Sequence, residues 1–214
     1  MVWGASGGLG SFAIQLINAA GGNAFGVISD EDKRAFVMGL GAKGVLDRKD
    51  FKCWGHVPTV NTDDYKSWFS EVRKFGKAIW EITGKGNNMD MVFEHPGEAT
   101  FPVSTFVCKN GGMVVICAGT SGFNLTMDAR DVWMHQKRTQ GSNFAHLKQA
   151  SAANKLMVER RIDPCMSEVF AWADIPFAHM MMLRNAHKPG NMAALVQAPT
   201  TGLRTFEDAL LGNE

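Results

Sequence analysis

The chain has 214 residues, with 45% hydrophobic and 20% charged side chains and a net charge of +1. That balance is globular rather than disordered, and it gives no reason to expect nucleic acid or an anionic membrane surface as a partner. The longest apolar runs, such as residues 89–93 and 113–118, fall far short of the ~20 needed to span a bilayer. No basic segment precedes an apolar stretch at the start, so no secretory signal is expected. The four cysteines, Cys53, Cys108, Cys117 and Cys165, form no C-x-x-C pair and no metal-spaced cluster with histidine. No metal site is therefore expected, and reduced thiols point to the cytoplasm.

In chain order, Val2-Trp3 reads as the stub of a strand. A helix is predicted over 8–20, stopped by Gly21-Gly22-Asn23. An apolar run at 24–28 reads as a buried parallel strand. A helix over 30–40 closes at Gly41, and a third strand covers 44–46. This βαβαβ order predicts an α/β fold, a Rossmann-type doubly wound parallel sheet with helices on both faces. A loop follows at 49–62, then an aromatic-rich helix at 63–83. Strands are predicted at 89–93 and 113–117, with a helix near 100–108 between them and a turn at Asn110-Gly111-Gly112. Residues 138–142 read as a sixth strand and 147–159 as a helix. From about 162 the pattern changes to a strand at 166–170, a helix at 175–185 and a strand at 192–196. The expected organisation is a dinucleotide-binding domain at 1–161 and a second segment at 162–214. Only three residues precede the glycine loop, so the chain is expected to begin inside its own first strand, as a truncated product.

Gly4-Ala5-Ser6-Gly7-Gly8-Leu9-Gly10 carries the main functional signal. Ala5, Gly7 and Gly10 fill the G-x-G-x-x-G positions, with alanine in the first. Gly7 lets the backbone approach a pyrophosphate and Gly10 allows close helix–strand packing. The helix N-terminus supplies N–H donors and a positive dipole. Ala5, Ser6, Gly7, Gly8, Leu9 and Gly10 are therefore the candidate phosphate contacts. The alternative is a purely structural glycine turn. At the expected 2′ position, Ser29, Lys33 and Arg48 could converge on a 2′-phosphate, which favours NADPH. Asp30 is the contrary signal, unless it caps a helix. The short-chain dehydrogenase mechanism is excluded because the only tyrosine, Tyr65, has Phe69 where Tyr-x-x-x-Lys needs lysine.

Glu94 and His95 end a strand at the functional edge of the sheet and are candidates to line the nicotinamide ribose, with a structural role as the alternative. His135 and Lys137 are weaker candidates for nucleotide or CoA phosphate. Trp68, Phe69, Phe75 and Trp80 read as core or subunit contact, and Met180-Met181-Met182 as adaptable packing.

The sequence resembles the crotonyl-CoA carboxylase/reductases, zinc-independent members of the medium-chain dehydrogenase/reductase superfamily. The resemblance runs through residues 2–10 (VWGASGGLG), 38–50 (MGLGAKGVLDRKD), 51–55 (FKCWG), 91–97 (MVFEHPG) and 111–122 (GGMVVICAGTSG). It continues through 133–138 (WMHQKR), 149–157 (QASAANKLM), 164–169 (PCMSEV) and 188–198 (KPGNMAALVQA). It implies NADPH as cofactor, an enoyl-CoA and CO₂ as substrates, and a homo-oligomer. Hydride reaches the β-carbon of crotonyl-CoA, and the enolate takes up CO₂ to give ethylmalonyl-CoA or a proton to give butyryl-CoA. It also implies an N-terminal substrate domain that this sequence lacks, which 162–214 would help complete. The family's Gly-Ser-His-Phe-Ala-Asn reads here as Gly141-Ser142-Asn143-Phe144-Ala145-His146. Asn143 thus stands at the family's CO₂-contacting histidine, where an amide can donate a hydrogen bond but carry no proton or charge. The implied consequence is weaker carboxylation, unless His146 or water restores the function. The rival reading is a non-catalytic dinucleotide-binding or assembly module.

Overall fold

The computed structural model describes residues 1–197. Its first unit is a parallel sheet in which residues 1–3 are central. Val2 bridges Gly26 on one side and Phe93 on the other. Val2 N donates to Phe25 O and Val27 N to Val2 O, while Trp3 N donates to Phe93 O and Phe93 N to Met1 O. Strand β1 (Phe25–Ile28) pairs with β2 (Gly44–Asp47). β3 (Met89–Glu94) pairs with β4 (Cys108–Ile116), and β4 with β5 (Arg138–Gly141). The spatial order is β2, β1, the Val2 segment, β3, β4, β5, all parallel. This is the doubly wound arrangement, with its switch point beside the Val2 segment.

Alternation along the short strands builds a core on each face. Val2 and Ile28 point to one side, against Ile14 of α1 (Gly8–Ala19) and Val37 of α2 (Arg34–Gly39). Trp3 and Val27 point to the other, against α3 (Asp63–Thr83) and α4 (Phe101–Val107). Helix α3 buries Trp68, Val72, Phe75, Gly76 and Ile79, one helical stripe. Thr62 caps it through Tyr65 N, and Asp63 and Asp64 meet its dipole. Trp3 stacks on Phe75 with centroids 6.0 Å apart, and Trp54 meets both rings edge-on. Trp68 and Phe75 are core, and Phe69 and Trp80 pack against it.

Some details of the first unit depart from the sequence reading. The turn expected at 110–112 lies inside β4, because Gly111 adopts φ +71° and the register shifts between Met89–Cys108 and Met91–Met113. The chain bulges there rather than turning away. A short helix, α5 (Ala129–Trp133), was not expected; Asp128 caps it through Arg130 N.

Helix α6 (Leu147–Val158) leads to a second unit, in which β6 (Met166–Phe170) and β7 (Asn191–Ala194) pair in parallel and α7 (Ile175–Leu183) connects them. The strand expected at 192–196 is thus shifted one residue toward its start and ends earlier. Residues 198–214 of the expected second segment lie outside the described residues. No helix among the described residues is long and apolar enough to cross a membrane.

Candidate dinucleotide-binding site

The glycine loop begins where the Val2 segment leaves the sheet. Gly4 turns the chain at φ +54°, and a side chain there would strike the His95 ring. Gly7 N donates back to Gly4 O at 3.0 Å, and Ser11 N to Gly7 O at 2.8 Å. The three pattern positions have different physical roles. Ala5 is fully buried. Gly10 packs directly on the preceding strand: a Cβ there would collide with Gly4 O and lie 2.7 Å from Ala5 Cα. At Gly7 a Cβ would meet only Gly4 O, at an ordinary 3.5 Å. Protein packing therefore demands glycine at position 10 and not at position 7, which leaves Gly7 open on its outer side.

Gly7 is the N-cap of α1 and supplies no side-chain cap, and the first turn holds no acidic residue. The N–H donors of that turn have no capping side chain and face outward with the helix dipole behind them. Ser6 is nearly buried, Gly8 is half-buried and Leu9 exposed, so the loop offers its backbone rather than its side chains.

At the end of β1, Lys33 Nζ donates to Ser29 Oγ at 3.2 Å. Arg48 is exposed just beyond β2 and joins no ion pair among the described residues. The three residues named from the sequence thus gather at one edge. Asp30 is not a side-chain helix cap. Its carboxylate pairs with Lys49, and that hydrogen bond holds its pKa below the usual carboxylate value. Sequence reasoning missed Lys49, although its place beside Arg48 after the same strand was a usable signal.

Glu94 does not line the crevice, which corrects that expectation. Its side chain is fully buried. One oxygen accepts from Gly97 N at 3.0 Å and Thr100 Oγ1 at 2.7 Å, and the other accepts from Ser104 Oγ. Ser104 Oγ also accepts from Trp3 Nε1 at 2.7 Å. Burial pushes the Glu94 carboxyl above its ordinary value, against the pull of these three donors. The residue fastens the end of β3 to the start of α4. His95 does sit at the edge, half-buried, with Nε2 2.9 Å from Trp3 O. Burial lowers its pKa, so neutral imidazole is favoured.

Lys137 is also turned inward. Nζ donates to Thr105 O and Phe106 O at the end of α4, where a cation suits the helix dipole. His135 Nδ1 lies 3.2 Å from Asp131 O. Lys137 is thus engaged by the protein itself, and His135 makes a contact within its own turn. Asn143 is exposed on the loop after β5, with Phe144 beside it at φ +57°. His146 caps α6: its N donates to Gln149 Oε1 at 3.1 Å, and its ring accepts from Gln149 N. His146 is thus engaged in the cap.

Two edge loops close the far side. Ser121 Oγ donates to Pro96 O and accepts from Ala99 N, and Glu98 pairs with His56 at 2.8 Å. A cavity of about 850 Å³ lies elsewhere, among Met1, Phe25, Lys43 and Met89 at the opposite strand edge. Ligands of open α/β sheets bind at the carboxyl edge, so chemistry rather than volume marks the site. Among the described residues no group of three or more His, Cys, Asp or Glu could hold a metal ion.

The family model described as zinc-binding dehydrogenase matches residues 8–159. The chain is 76% identical over 210 residues to the crotonyl-CoA carboxylase/reductase of Cereibacter sphaeroides, covering 98% of this chain and 49% of the relative. A solved crotonyl-CoA carboxylase/reductase superposes with a TM-score of 0.91 at 67% identity, over 99% of this chain and 49% of its own. The 2-octenoyl-CoA carboxylase reductase CinF, solved with NADP and 2-octenoyl-CoA, gives 0.83 at 34% identity, over 99% of this chain and 46% of its own. The chain spans about half the length of the curated relatives it matches. The match takes in helix α1 and strands β1 to β5, about seven-tenths of the chain, and the chain belongs to the zinc-binding dehydrogenase family.

Proposed function

We propose that this chain supplies the NADPH-binding lobe of a crotonyl-CoA carboxylase/reductase, with residues 1–161 as that lobe and 162–214 as part of the substrate domain. The observation that carries the cofactor reading is the open, uncapped start of α1 behind Gly7, with Ser29, Lys33 and Arg48 at the neighbouring edge. The backbone of Ala5, Ser6, Gly7, Gly8, Leu9 and Gly10 would cradle the pyrophosphate. Ser29, Lys33 and Arg48 would hold the 2′-phosphate, and Lys49 keeps the Asp30 carboxylate from repelling it. His95 would border the nicotinamide ribose. NADPH, when bound, supplies the hydride that converts an enoyl-CoA to an enolate, which then takes up CO₂ or a proton. Asn143 would offer CO₂ a neutral hydrogen bond where the family offers a histidine. The setting is cytoplasmic and homo-oligomeric, without nucleic acid or membrane.

Calorimetry of the chain with NADPH and NADH tests the reading. The expected result is binding of NADPH in clear preference to NADH; no binding, or preference for NADH, overturns it. A dinucleotide-binding module without turnover is the second reading, since the glycine loop by itself supports cofactor binding only. Following reduced nicotinamide absorbance with crotonyl-CoA, with and without bicarbonate, separates the two. In an active enzyme bearing this segment, Asn143→His is expected to raise the ratio of ethylmalonyl-CoA to butyryl-CoA. An unchanged ratio removes the role given to Asn143.

A further inference from the structure

The glycine loop is held from the far end of the described chain. Gly190 N donates to Ser6 O at 2.9 Å, and Gly7 and Gly190 form a parallel bridge. The next residue, Asn191, fills the space of Gly8's absent side chain: a Cβ on Gly8 would collide with Asn191 Oδ1. Helix Cα–Cβ bonds tilt toward the N-terminus, so that space lies beside the open mouth of α1. The carboxamide is braced from behind. Its Nδ2 donates to Pro164 O at 2.7 Å, and Asn191 N donates to Cys165 O at 2.7 Å. Segment 163–165 is tied in turn to α1, where the Gln15 amide bonds Asp163 twice, Nε2 to O at 2.9 Å and Oε1 to N at 2.6 Å. Gly190 at φ +103° lies so close to Cys165 O that a side chain there would clash.

These contacts supply what the loop lacks locally. No side chain caps α1, and Gly190 and Asn191 hold the loop that leads into it. The group placed beside the mouth is polar and uncharged, which suits the edge of an anion site better than a carboxylate. We propose that Asn191 is a positioning residue for the pyrophosphate of the bound dinucleotide, fixing residues 6–8 with the first N–H groups of α1 turned outward. The proposal rests on the reading of the glycine loop as a nucleotide site. It also makes the second unit a structural partner of that loop.

The test uses the 214-residue chain, NADPH, and 2′-phosphoadenosine, which carries the 2′-phosphate but no pyrophosphate. Asn191→Asp keeps the shape, removes the Nδ2 donor to Pro164 O and adds a charge beside the pyrophosphate. NADPH affinity is expected to fall about tenfold or more in low salt, with the loss shrinking as salt rises, while 2′-phosphoadenosine binds as before. Asn191→Ala is expected to weaken NADPH without that salt dependence, again sparing 2′-phosphoadenosine. Unchanged NADPH affinity in both variants, or equal loss of both ligands, overturns the proposal. If Asn191→Asp does not fold, the split between the two ligands in Asn191→Ala decides alone. Failure of the unsubstituted chain to bind NADPH overturns the nucleotide reading itself, a separate result.

Discussion

The two units of this chain are built from the same kinds of element and differ in what those elements bury. In the first, the sheet is covered on both faces, and Trp3, Ile14, Val37, Val72, Phe75 and Phe101 are all essentially inaccessible. In the second, neither β6, β7 nor α7 contains a fully buried residue. Trp172, Phe177 and Leu183 remain largely exposed. A two-stranded sheet with one helix has too little surface to close a core of its own. The difference teaches that apolar periodicity specifies elements in both regions, while burial needs partners on both sides of the sheet. The glycine loop lies where the units touch, so it inherits rigidity from the first and a brace from the second.

The largest expected effect follows directly. Phe75→Ala removes a ring stacked on Trp3 and should destabilise the chain by about 3–5 kcal/mol. Phe177→Ala should cost less than about 0.5 kcal/mol. Urea unfolding followed by tryptophan fluorescence measures both, and comparable losses would break the contrast between the units. Next in size is a contrast inside the loop. Gly10→Ala forces a Cβ against the immobile backbone of Gly4 and Ala5 and should cost about 1–3 kcal/mol. Gly7→Ala meets ordinary contact and should change stability by under about 0.5 kcal/mol, while NADPH affinity drops sharply. If Gly7→Ala binds NADPH normally, Gly7 does not face the ligand.

Much of the first unit was legible because its signals are local. The stripe from Trp68 to Ile79 gives α3 directly, and Gly21 and Gly41 mark helix ends through their left-handed φ. The position of the loop residues and of Ser29, Lys33 and Arg48 near the ends of parallel strands was legible because the strands themselves were. What was not legible depends on long-range partners. Glu94 looks like an edge residue until Ser104 and Thr100 are brought beneath it by α4. Lys137 looks available until the end of α4 arrives at its ammonium group. Asn191 lies over 180 positions from the glycine it packs against, and no periodicity connects them. Helix α5 is five residues long, too short for a periodic signal, although Asp128 was a usable cap.

A smaller effect sharpens the cofactor assignment. Arg48→Ala should weaken NADPH about tenfold, the size of one lost charge-assisted hydrogen bond, and leave NADH nearly unchanged. Lys49→Ala should narrow the preference for NADPH by releasing the Asp30 carboxylate toward the ribose. Titration calorimetry with both cofactors reads each outcome, and equal loss of NADPH and NADH in Arg48→Ala would remove that residue from the 2′ site.

The finest test concerns Glu94, which ties the end of β3 to α4 and, through Ser104, to Trp3. Burial raises its pKa in the folded chain above the ordinary 4.5. The folded state therefore holds this proton more tightly than the unfolded state does. Stability from the group is present below the ordinary value and declines as pH rises from there through the folded value, since stability falls wherever the folded state binds more protons. Glu94→Gln keeps the shape and titrates no proton. The stability of the unsubstituted chain relative to Glu94→Gln should therefore decline as pH rises above 4.5 and level off once the folded carboxyl has ionised. A difference that grows with pH would mean that the three donors outweigh burial, and that the charged carboxylate rather than the acid holds β3 to α4; a flat one would mean that the two effects cancel.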